Sequence, residues 1–249
     1  MKKILYHLIL INLIVIFTGC SSNEKPVIVQ EEMNGTEQES AKLIEESNEK
    51  DSEEPQMMIE FMLEEEQLTI NLDKIPILKN YLSQIENRKD AIDQMKINKL
   101  DIESTESIYL LGFAGSENMY SYLLLDPTDA GRSFLLTDRA KFLKISQSPD
   151  NKKLLFYFER TVKNQPWKTN KIVVLDLLNW ESNKLINNAD HNNIALNQFK
   201  WPILNIKWTD NESVSTTVPS IKHATKDELT KWINSEQSTK QVEFFIANE

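Results

Sequence analysis

Apolar and polar positions alternate in some stretches of the chain and follow a helical spacing in others. Leu68, Ile70 and Leu72 alternate with Thr69 and Asn71, which predicts a strand with one buried face. The preceding run Met57–Leu63 fits a strand or a short helix. Leu78, Tyr81, Leu82 and Ile85 recur at i, i+3, i+4 and i+7 behind Pro76, predicting an amphipathic helix with Asp73 as its N-terminal cap. Ala91, Ile92 and Met95 predict a further turn or two. From Ser107 to Ile221 the pattern is β-like, with strands expected at 108–111, 120–125, 133–136, 142–145, 154–158, 172–177, 203–208 and 214–218. Gly115–Asn118, Pro127–Gly131, Ser148–Asn151 and Asp210–Asn211 supply turns between them. Thr225-Lys226-Asp227-Glu228 has the form of a capping box ahead of Leu229, Trp232 and Ile233, and Val242–Ala247 predicts a last strand. The fold class expected is α+β, mainly an antiparallel β meander with a few short amphipathic helices packed on it.

Ile145–Phe156, with its Ser148-Pro149-Asp150-Asn151 turn, and the strand Ile172–Leu177 after it resemble one blade of a TolB-like or WD40-like β-propeller. Ile206–Val214 echoes the first part of that pattern. The resemblance implies an alternative all-β architecture, a partial or small propeller. A closed propeller needs at least four blades of about 40 residues, more than this strand-rich region supplies.

The first residues have a different pattern. Lys2 and Lys3 precede a mostly apolar run from Ile4 to Phe17, interrupted by His7 and Asn12, and Thr18-Gly19-Cys20 follows. A basic start, a short apolar core and small residues before a cleavage point are the parts of an export signal. The run is shorter than the roughly 20 apolar residues that span a bilayer. Phe17-Thr18-Gly19-Cys20-Ser21 resembles the lipobox of bacterial lipoproteins, with Phe17 where leucine is usual. The resemblance implies cleavage between Gly19 and Cys20, diacylglyceryl modification of the Cys20 sulfur and anchoring on the extracytoplasmic face of the cell membrane. Cys20 is the single cysteine of the chain, so no intramolecular disulfide competes for it. Each buried methylene of the lipid contributes about 0.8 kcal/mol, and two acyl chains give stable anchoring.

Residues 21–56 contain 11 Asp or Glu against three Lys and few apolar side chains, a composition expected to form a disordered acidic tether. Its reach is about 33 Å if it behaves as a flexible chain. The expected organisation is therefore a signal peptide over 1–19, a lipidated cysteine and tether over 20–56, and one globular β-rich domain over 57–249. Without Lys2 and Lys3 the 28 basic side chains fall to 26 against 38 acidic, a formal charge of −12. That balance argues against nucleic acid and anionic polymers as partners.

Candidate chemistry is sparse. His191 beside Asp190 lies in a polar loop and His223 precedes the last helix, with no ligand spacing between them, so no metal or cofactor is expected. Asp126-Pro127-Thr128-Asp129 begins like a calcium loop but lacks carboxylates at the third and fifth positions, and it fits a hairpin turn. Glu64-Glu65-Glu66 fits a solvated turn. The chain carries no nucleophile elbow, phosphate loop or dinucleotide fingerprint. Trp167 stands out, flanked by polar residues between two strands, with Lys163, Lys168 and Lys171 making the stretch Thr161–Asn170 locally positive. An exposed indole there is expected to anchor a protein partner of the cell envelope. The resemblance to lipoproteins, here those of low-GC Gram-positive bacteria, implies a membrane-anchored binding or accessory protein, with an envelope hydrolase as the alternative.

Overall fold

The computed structural model describes residues 41–46, 56–64, 66–104, 107–128, 131–187 and 194–247. The expected signal peptide, Gly19, Cys20, Asp190 and His191 lie outside them. The described chain is mostly antiparallel β-sheet with three short α-helices and one 3-10 turn.

Strands β1 (Ala41–Glu46), β2 (Gln56–Met62) and β3 (Gln67–Asn71) form a three-stranded antiparallel sheet. The ambiguous run after Gln56 is thus a strand. β1 corrects the expected domain boundary, because it lies within the stretch read as tether. It is a short edge strand in an acidic, apolar-poor stretch, but pairing with β2 from Ala41↔Phe61 to Glu46↔Gln56 satisfies the backbone groups on its inner edge, and Ala41 enters the core. The folded domain therefore begins by residue 41.

Asn71 caps a 3-10 turn over Leu72–Lys74, its side chain accepting from the Asp73 amide at 2.9 Å, and the helix that follows has Ile75 at its N-cap with no side-chain cap, so Asp73 does not cap it. Asp73 pairs instead with Lys79. Pro76 opens helix α1 (Pro76–Ser83), where its missing amide costs nothing, and Leu78 and Leu82 turn inward. Helix α2 (Arg88–Asp93) follows, capped by Asn87 onto the Asp90 amide, and buries Ile92.

Seven strands then run as a meander in spatial order: β4 (Lys96–Lys99), β5 (Tyr109–Ser116), β6 (Met119–Asp126), β7 (Arg132–Gln147), β8 (Lys153–Thr161), β9 (Lys168–Asp176) and β10 (Ser182–Asn183). The two strands expected at 133–136 and 142–145 are one 16-residue strand, β7. It pairs with β6 through its first half and with β8 through its second. Between the halves Arg139 has φ +37° and the register shifts, so the sheet bends there. Strands two apart in a flat sheet lie about 9.5 Å from each other. Tyr122 of β6 and Phe158 of β8 bring their ring centroids to 5.4 Å, because the sheet is folded on itself along β7.

The last sheet has the order β11 (Leu185–Ile186), β14 (Thr239–Ile246), β13 (Ser213–Pro219), β12 (Asn205–Trp208). Helix α3 (Lys226–Ile233) connects β13 to β14; Thr225 caps it by accepting from the Glu228 amide at 3.3 Å. Glu228 reaches back to the amides of Lys222 and His223 rather than to Thr225.

Three apolar clusters join these layers in chain order. Ile59, Phe61, Leu68 and Ile70 of the first sheet, with Leu78 and Leu82, pack on Leu111, Phe113, Leu123 and Leu125. Leu110, Tyr122 and Leu124, from the other faces of the same strands, pack on Leu154, Phe156, Phe158, Val173 and Leu175. Leu155, Tyr157, Ile172 and Val174 then pack on Trp201, Ile206, Val214, Val218, Val242, Phe244 and Ile246. Strands covered on both faces need continuous apolar sequence, which explains Leu154–Phe158 and Ile172–Leu175. β14 has a single covered face, and Gln241 and Glu243 alternate with Val242 and Phe244.

Candidate partner-contact surface

The stretch expected to meet a partner is the β8–β9 hairpin. Its loop is shorter than the sequence suggests, six residues over 162–167, because Thr169 and Asn170 are buried within β9. The turn closes with the Gln165 amide donating to the Val162 carbonyl at 3.1 Å, and Asn164 takes the left-handed φ of +59° that asparagine tolerates.

Trp167 is 6% exposed, so the indole offered to a partner in the sequence reading is instead covered by the protein. Burial of an aromatic ring removes more apolar area from water than polar flanking residues can offset, and local polarity gave the wrong sign here. Lys168 is exposed but donates to Glu159 at 2.6 Å. Lys171 is half-buried, and its ammonium donates to the Leu136 carbonyl at 2.8 Å. Burial pulls the Lys171 pKa below the usual lysine range, with Asp138 opposing that shift and Arg160 adding to it. Lys163 is exposed.

The structure adds residues that sequence reasoning missed. Arg160, next to the hairpin, donates from Nε to the Arg139 carbonyl at 3.1 Å and from Nη2 to the Asp138 carbonyl at 2.7 Å. The same nitrogen meets the Asp138 carboxylate at 3.0 Å, and the guanidinium lies 3.9 Å from the centre of the Phe199 ring. Arg160 and Lys171 therefore hold the β7 bend through its carbonyls. Arg139 stands at the bend, and the Phe199 ring brings its segment against Arg160. A polar interruption at Thr137-Asp138-Arg139 between apolar runs was the available signal, and it reads equally well as a turn.

The remaining polar side chains tie elements together. Asn170 donates from Nδ2 to the Phe158 carbonyl at 3.3 Å and accepts from the Ile203 amide at 2.8 Å. Tyr157 donates to the Ile203 carbonyl, and burial, then Glu159, pushes its phenol well above the usual tyrosine value. Lys144 donates to the Ile206 carbonyl at 2.7 Å, and burial lowers its pKa. Asp126 is buried; burial pushes its pKa up, but bonds from Arg132 and Thr128 outweigh this and hold it below the usual carboxylate range. The calcium-like start at Asp126 is thus an Arg-clamped turn. Glu66 accepts from Tyr109 at 2.9 Å and from Lys99 at 3.2 Å, and burial together with Glu66 pushes the Tyr109 phenol up to about 12. His223 is exposed, with its amide on Glu228. Comparison of the chain with family models, curated proteins and solved structures finds no match.

Proposed function

We propose that the chain is a lipoprotein anchored to the extracytoplasmic face of the cell membrane through Cys20, where it acts by binding an envelope protein rather than by catalysis. The observation that carries the proposal is Phe17-Thr18-Gly19-Cys20, placed behind a short apolar run and holding the only cysteine of the chain. The non-catalytic part is supported by the use the domain makes of its buried polar groups. Asp126, Lys153, Tyr157 and Asn170 are all engaged in joining strands or sheets.

Replacing Cys20 tests the anchor. Cys20→Ala is expected to accumulate as an unprocessed precursor that takes up no lipid label. A mature-sized Cys20→Ala protein that stays in the membrane fraction would sink the proposal.

A further inference from the structure

The strands that end the sheets differ in how they are closed to further pairing. β1 lies against helix α2. β4 carries lysine at both ends, and the Ile206 carbonyl of β12 accepts from Lys144. β10 and β11 are two residues each. β3, last in its sheet, has none of these protections, and Gln67-Leu68-Thr69-Ile70-Asn71 holds no charge, proline or glycine. The Leu63 amide donates to the Glu66 carbonyl at 2.9 Å, which fixes the alternation along the β2–β3 ladder. Leu68 and Ile70 bond to β2, and the backbone groups of Gln67 and Thr69 point away from it. Both residues are exposed, and their amides and carbonyls have no partner among the described residues.

We infer that Pro26-Val27-Ile28-Val29-Gln30, which lies outside the described residues, adds to β3 as a fourth strand. It is the only run of consecutive apolar residues between Cys20 and Ala41, and it is uncharged, so a neutral segment meets a neutral edge on a chain of formal charge −10. Antiparallel pairing with Val27 opposite Thr69 and Val29 opposite Gln67 satisfies the free groups. Pro26 then falls opposite Ile70, where its missing amide would face outward, and Ile28 stands beside Leu68 on the covered face. Such a strand finishes at the Gln67 end of β3, the end at which β1 begins, since Ala41 pairs with Phe61 and Phe61 with Leu68. Residues 30–40 span up to about 36 Å, and crossing three strand spacings takes about 14 Å. A second copy offered to the same edge brings its own charge of −10, whereas a segment of the same chain is present at an effective concentration of order millimolar. With Cys20 anchored as proposed above, the added strand would hold the first sheet within about 21 Å of the lipid.

Hydrogen–deuterium exchange of the full chain in detergent, read at the Gln67 and Thr69 amides, tests the pairing. Both amides are expected to be protected, and Ile28→Asp should speed their exchange about tenfold or more without lowering the melting temperature. Val29→Pro, which removes an amide aimed at β3, serves if Ile28→Asp does not fold. Rapid exchange in the wild-type chain overturns the inference, as does protection that survives both substitutions. Protection that grows with protein concentration overturns it in favour of a second copy. The readout does not depend on lipid at Cys20, so failure of the added strand leaves the anchor in place, and loss of the anchor leaves the strand to be judged on its own.

Discussion

Lys153 and Glu212 join the two hairpins whose sequences echo each other. The Lys153 ammonium, on a side chain only 9% exposed, meets the Glu212 carboxylate at 2.6 Å and the Asn211 carbonyl at 3.4 Å. The turn Ser148–Asn151 sits at one end of this contact, with Ser148 and the Lys152 amide both donating to Asp150. The turn Asp210–Ser213 forms the other, with the Glu212 amide donating to Asp210 at 2.7 Å. Similar sequence has made similar turns, and a buried lysine fastens one to the other.

Removing one partner of this pair should cost more than removing both. Glu212→Ala leaves the ammonium with a single carbonyl and is expected to cost about 1–2 kcal/mol, less than a fully buried pair because Glu212 itself is 57% exposed. Lys153→Met in the same background should recover part of the loss. Urea denaturation of the two single variants and the double variant checks this; additive losses would mean that the pair is not coupled.

Asp126 gives the domain an acid-labile clamp. Its folded pKa is depressed, so its contribution is present above the unfolded carboxylate value of about 3.9 and is lost as pH falls through the folded value. The wild-type chain should therefore lose more stability between pH 6 and pH 3 than Asp126→Asn does. Denaturation midpoints measured at both pH values decide it, and parallel losses would show that Arg132 does not favour the ionised form.

Trp167→Ala should lower the melting temperature markedly. Truncation of a buried tryptophan costs about 3–5 kcal/mol, whereas an exposed contact residue would leave melting nearly unchanged. An unaltered thermal transition is the result that would restore the indole to the surface.

Gly115 leaves room for Tyr120 on the neighbouring strand. A Cβ there would stand 2.4 Å from the Tyr120 ring, and the ring also receives Lys96 at 5.1 Å. Gly115→Ala is expected to cost about 1–3 kcal/mol through overpacking. The cost should shrink in a Tyr120→Ala background, and a loss of the same size there would place the strain elsewhere.

A chain beginning at Ala41 should be more stable to denaturant than one beginning at Gln56. The difference comes from the β1–β2 ladder and the burial of Ala41. Equal stabilities would return the domain boundary to the position that composition suggests.

The sequence was most informative where packing demands a pattern on the strand itself. Leu154–Phe158 and Ile172–Leu175 are covered on both faces, and Val242, Phe244 and Ile246 alternate with exposed neighbours, so each was legible as a strand. Lys96–Lys99 was not, because it buries only Ile97 and is held by pairing with β5. β1 escaped for a related reason, since backbone pairing with a neighbour leaves little trace in composition. The continuity of β7 depends on Arg160 and Lys171, 21 and 35 residues from the carbonyls of Arg139 and Leu136 that they hold. No local window contains both ends of those bonds. The lysines of the candidate surface were visible as a charged stretch, but which of them are committed internally depends on Glu159 and Leu136, which only the fold brings near.

The 16 residues of β7 belong to two hydrogen-bonded ladders at once, so the halves of the folded sheet cannot part without breaking one of them. Local opening should respect this. Under native conditions the amides of Leu123–Leu125 and Leu154–Phe158 are expected to exchange with deuterium together, at the rate set by global unfolding. Those of the outer strands β1 and β12 should exchange earlier, through fluctuations that leave the shared strand intact. A single strand thus makes two sheets into one cooperative unit and leaves the sheets on either side free to fray independently.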